Sequence, residues 1–112
     1  MRFTLKTYVV LFHGGLSKEK LTEEYLKRFT QWAKDVSQDK IGLGNRLQPN
    51  GKILSGRNGE NTSDVSFGSE LVGGYIVMEA EDYYQAASKL RKCPILENGG
   101  TVEVREIIPM QM

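Results

Sequence analysis

Residues 70–80 read Glu70-Leu71-Val72-Gly73-Gly74-Tyr75-Ile76-Val77-Met78-Glu79-Ala80, and after a short helical stretch and Cys93-Pro94 comes Gly99-Gly100-Thr101-Val102-Glu103-Val104-Arg105. This segment decides the fold. It reads strand, helix, strand, and both strands are apolar on both faces. Leu71–Glu79 has the continuous apolar character of a central strand. Asp82 is placed to cap a helix carrying Tyr83, Ala86, Ala87 and Leu90 on one face. Cys93-Pro94 ends that helix, because proline disfavours helical geometry in the residue before it. Thr101–Ile108 is the final strand.

Working outward, Phe3–Phe12 has the β-branched and aromatic content of a first strand, broken by His13-Gly14-Gly15. Phe3, Leu5, Val9 and Leu11 share one face; Tyr8, Val10 and Phe12 share the other. Leu21, Tyr25, Phe29, Trp32 and Val36 then recur at helical spacing, flanked by Leu26 and Ala33, and Ser17 suits the N-cap. This stripe packs into a core. Ile41–Gly51 is turn-rich, and a hairpin follows: Lys52 to Gly56 or Arg57, a turn at Asn58-Gly59, and a polar return strand over Thr62–Phe67.

The order is β-α-β-β-β-α-β, or β-α-β-β-α-β if the hairpin counts as one poorly formed unit. That is the α+β, ferredoxin-like plan: a split β-α-β sheet with two helices on one face. The face without helices carries Tyr75 and Val77 with Leu71, or Val72, Ile76 and Met78, according to register. Either set is too apolar to stand in water as one patch. The economical solution is a homodimer packed sheet to sheet.

The 112 residues make one domain, 1–112, with 39% hydrophobic and 26% charged residues, an ordinary globular balance. A formal charge of +1, without a basic tract, speaks against nucleic acid. Met1–Thr7 does not read as a signal peptide, and no apolar run is long enough to span a membrane. The lone Cys93 leaves no internal disulfide and no multi-thiol metal site, in keeping with a cytoplasmic address. No residues stand at metal-ligand spacing, and no cofactor motif is present. Gly73-Gly74 is not a phosphate loop; inside an apolar strand it marks a bulge or the close approach of a backbone or ligand.

Leu47-Gln48-Pro49, Asp64-Val65-Ser66-Phe67, Gly73-Gly74-Tyr75, Glu79-Ala80, Cys93-Pro94 and Val102-Glu103-Val104-Arg105, in this order, resemble the YCII-related proteins of the DGPF branch. The resemblance spans essentially the whole chain and implies a ferredoxin-like domain that dimerises into an α+β barrel. Two departures stand out. The Asp-Gly-Pro-Phe that names the branch is here Asp64-Val65-Ser66-Phe67. The acid–base dyad of some YCII-like enzymes needs a histidine on the first helix, and that slot falls on Tyr25 or Phe29.

His13, the only histidine, lies in a glycine-flanked loop at a strand end. Asp64 and Glu79 are candidate carboxylate bases; Asp64 also suits a turn, and Glu79 can pair with Arg105 across neighbouring strands for roughly 0.2–1 kcal/mol. Cys93 reads as a buried structural thiol. Two functions follow. One is a module that binds a small organic molecule in a cleft between sheet and helices, with His13, Asp64, Phe67, Glu79 and Arg105 as candidate contacts. The other is an acid–base enzyme, eliminating or hydrolytic, built on His13 with Asp64 or Glu79. Whether His13 enters a concave pocket beside a carboxylate discriminates them.

Overall fold

The computed structural model describes residues 4–15, 20–37, 44–65 and 71–110. In chain order the elements are β1 (Lys6–His13), α1 (Glu23–Ser37), β2 (Asn45–Arg46), β3 (Lys52–Ser55), β4 (Asn61–Asp64), β5 (Val72–Ala80), α2 (Tyr83–Leu90), a 3₁₀ turn (Pro94–Asn98) and β6 (Thr101–Glu106). Four strands form one antiparallel sheet in the order β2-β5-β1-β6. Each helix therefore crosses over one intervening strand: α1 links β1 to β2 around β5, and α2 links β5 to β6 around β1. Two interlocked split β-α-β units of this kind are the ferredoxin-like arrangement.

The alternation of the strands is resolved by burial. Tyr8, Val10 and Phe12 on β1 and Ile76, Met78 and Ala80 on β5 face the helices and are buried. Val102 and Val104 extend that face on β6, and Ala33, Val36, Ala86 and Leu90 close it from the helices. Phe12, Phe29 and Trp32 meet edge to face, with centroids 4.9 Å (Phe12–Phe29), 6.0 Å (Phe12–Trp32) and 5.7 Å (Phe29–Trp32) apart, so the aromatic stripe of α1 is core. Thr7, Val9, Leu11, Tyr75, Val77 and Glu79 lie on the opposite face, which no described element covers.

Local signals account for the helix ends. The Asp82 carboxylate accepts from the Gln85 N–H at 2.8 Å, and the Gln85 side chain accepts from the Glu81 N–H at 2.7 Å. Helix α1 begins later than its apolar stripe suggests. Thr22 caps it, its hydroxyl accepting from the Tyr25 N–H at 3.1 Å, while Ser17 lies outside the described residues.

The structure corrects the strand count. The second strand of the main sheet is the short β2, inside the stretch that reads as turns; two residues carry no periodicity, and pairing with Gly74 and Tyr75 makes them a strand. Among the described residues the hairpin β3–β4 pairs only with itself, and both its strands are exposed. It is an insertion into the ferredoxin-like plan. Its turn is a five-residue loop, Gly56–Glu60, because Ser55 pairs with Asn61, and Gly56 and Gly59 take the positive φ.

Candidate functional site

Between α1 and the β2–β5 edge of the sheet lies a cavity of about 420 Å³. Helix α1 contributes Tyr25, Leu26, Phe29, Thr30 and Ala33; β1 contributes Phe12; Leu21 and Ile95 close the ends. Gly44–Arg46 and Gly73–Ile76 form the remaining wall.

The register explains why a space exists. Arg46, Gly74, Phe12 and Val102 form one row across the four strands on the helix-bearing face. Three of the four carry side chains. Gly74 leaves a gap between Arg46 and Phe12, and α1 roofs it. A Cβ on Gly74 would stand 3.0 Å from the Asn45 carbonyl oxygen, so glycine also lets β2 approach. Gly44, at φ 76°, passes even closer: a Cβ there would stand 1.8 Å from the Tyr75 carbonyl oxygen. Beside Gly74 the register of β5 slips against β1, Phe12 pairing with Gly74 but His13 with Val72. Gly73-Gly74 thus supplies both a bulge and a close backbone approach.

The lining is mostly apolar, with polar groups on Tyr25, Thr30, Asn45, Arg46 and Tyr75. Asn45 turns to the far face and donates from Nδ2 to the Tyr75 hydroxyl at 3.2 Å. Arg46, next along the strand, therefore points to the cavity side, where it is the single charged residue among the lining. Burial, then the nearby Cys93 and Glu97, pushes the Tyr25 phenol up to about 12, with Arg28 opposing; at neutral pH it stays a neutral donor. Burial likewise pushes the Cys93 thiol up to about 12, leaving almost no thiolate.

The residues singled out from sequence do not converge here. His13 lies on the opposite sheet face, its Nε2 2.8 Å from Glu103 Oε1. Its carboxylate neighbour is therefore Glu103, on the adjacent strand, rather than Asp64 or Glu79. Glu79 pairs in register with Thr7, six residues along β1, hence roughly 20 Å from His13 at about 3.3 Å per residue. Asp64 sits on the inserted hairpin, ion-paired with Lys52. Arg105 is opposite Val9, and because β1 runs between β5 and β6 it is not a cross-strand neighbour of Glu79. Phe67 lies outside the described residues. Sequence reasoning missed Arg46, since one arginine in a turn-rich stretch carries no signal until β2 is paired.

The family profile of the YCII-related domain matches residues 16–111. The chain belongs to the YCII-related domain family. Comparison with curated proteins gives no match. The match takes in α1, the cavity and the inserted hairpin of this YCII-related domain, so the space beneath α1 lies within the family's own fold. Among the described residues no helix is long and apolar enough to cross a membrane.

Proposed function

We propose that this YCII-related domain is a homodimer that binds a small organic molecule between α1 and the sheet. The observation that carries the binding reading is the cavity of about 420 Å³, within the roughly 300–1,000 Å³ range of small-molecule sites and mostly apolar with few polar groups. Pairing of Val9 with Val77 and of Leu11 with Tyr75 makes one continuous apolar block on the helix-free face, and this supports the dimer. Assembly through that face is the barrel arrangement. The order of Asp64-Val65-Ser66-Phe67, Gly73-Gly74-Tyr75 and Cys93-Pro94 supports the DGPF branch. The single buried thiol favours a cytoplasmic setting.

The acid–base alternative has one observation in its favour, the 2.8 Å contact between His13 and Glu103. That pair is across the sheet from the cavity, and the binding reading is the better supported. The test is calorimetric titration with 2-naphthol, a neutral fused-ring probe, against the native chain and Ala33→Phe, which fills the space from α1. Saturable binding by the native chain, lost in Ala33→Phe, is the expected result. No binding by the native chain overturns the reading.

A further inference from the structure

Resting on the binding reading above, we infer that the cavity selects a monoanionic ligand, a planar, largely apolar molecule bearing one carboxylate held by Arg46. Three observations converge on this class. Phe12 and Phe29 line the space with aromatic surface, suited to a flat apolar body. Arg46 is the only charged residue among the lining, so the sign of the site is positive. It forms no ion pair with a described residue, so no protein carboxylate among them occupies its guanidinium.

Geometry supplies the direction. Arg46 and Gly74 are register partners, and Asn45 is committed to the far face through Tyr75. The guanidinium therefore stands at the rim of the gap that Gly74 leaves, with the aromatic wall further in. A ligand entering from the β2 edge would place its apolar end against Phe12 and Phe29 and leave its charge at the rim. One planar guanidinium matches one carboxylate through two parallel N–H···O bonds. A phosphate monoester, with nearly two charges and three acceptor oxygens, would need further donors, and no second cation lines the space. The neutral Tyr25 hydroxyl adds a donor without adding repulsion.

The test compares 2-naphthoate, neutral 2-naphthol and cationic 2-naphthylmethylammonium by calorimetry at low and high salt. It uses the native chain, Arg46→Gln, Arg46→Lys and, as a control on the remote hairpin loop, Arg57→Gln. Naphthoate should bind roughly tenfold more tightly than naphthol, with the ammonium weakest, the difference corresponding to one charge-assisted contact at a solvated rim. Arg46→Gln should erase that preference while leaving naphthol unchanged, Arg46→Lys should retain part of it, and Arg57→Gln should change nothing. High salt should shrink the preference, because the rim is open to water. Equal binding of naphthoate and naphthol, or a preference that survives Arg46→Gln, overturns the anion assignment; naphthol binding that is lost in Ala33→Phe then leaves the cavity reading standing. Failure of every probe to bind overturns both.

Discussion

His13 Nε2 lies 2.8 Å from Glu103 Oε1 on the face of the sheet that carries no helix, while the cavity lies on the other. An imidazole beside a carboxylate is half of an acid–base site, but the intervening sheet separates it from the only described space into which a small molecule fits. His13→Asn should therefore leave 2-naphthol affinity unchanged by calorimetry. The pair is partly open to water, so its loss should cost no more than about 1 kcal/mol in urea unfolding. A large loss of naphthol binding in His13→Asn would return the acid–base reading to the front.

Val77 and Ile76 are neighbours in sequence with opposite fates. Ile76 is buried beneath the helices at 2% exposure, and Val77 pairs with Val9 on the helix-free face. Val77→Lys should leave the fold intact and convert a dimer near twice 12.6 kDa into a monomer by sedimentation. Ile76→Lys should instead unfold the domain, as an unpaired charge forced into the core costs about 3–5 kcal/mol. A native chain that sediments as a monomer at micromolar concentration would sink the sheet-to-sheet dimer.

Cys93 ties stability to alkaline pH. Its thiol is pushed by burial from the ordinary 9.0 up to about 12, so the folded state keeps a proton that the unfolded state releases. Its contribution is complete below the unfolded value and declines as pH rises from about 9 towards about 12. Tyr25, raised from 10.0 to about 12, adds the same sign from about pH 10 upward. Urea unfolding of Cys93→Ala should show a shallower fall between pH 9 and 10 than the native chain. The native thiol should resist alkylation until the domain opens.

The Tyr8 hydroxyl is buried and has no hydrogen-bond partner among the described residues. Its ring packs edge to face on Tyr83, with centroids 5.1 Å apart, and that contact does not need the oxygen. Removing an unsatisfied buried hydroxyl recovers about 1–3 kcal/mol of desolvation, set against any gap left behind. Tyr8→Phe should therefore be neutral or stabilising in thermal unfolding. A clear destabilisation would mean that a water or a second subunit satisfies the oxygen.

Helix positions were legible because their signals are local. The stripe Tyr25–Phe29–Trp32–Val36 predicts α1 from spacing alone, and Asp82 predicts the start of α2 from the orphan N–H groups of any helix N-terminus. The glycine pair in β5 was legible as a bulge or close approach for the same reason: an apolar strand interior gives glycine no other use. The cap of α1 was misplaced because Ser17 and Thr22 are equally good acceptors; which one serves depends on where α1 first touches the sheet.

The candidate site was hardly legible. Its charged residue sits on a two-residue strand that exists only through pairing with β5, and its empty space is the shadow of Gly74 in a row assembled from four distant segments.

By itself the sequence determined an α+β chain of ferredoxin-like order, the identity of its core helix, and kinship with the YCII-related proteins, all from short-range patterns. Tertiary structure alone decided which strand faces meet the helices, that Asn45–Arg46 rather than the hairpin completes the sheet, and that His13 and the cavity stand on opposite sides. A strand that is apolar on both faces carries no mark of which face is which. That choice is made by strand register, which joins residues far apart in the chain.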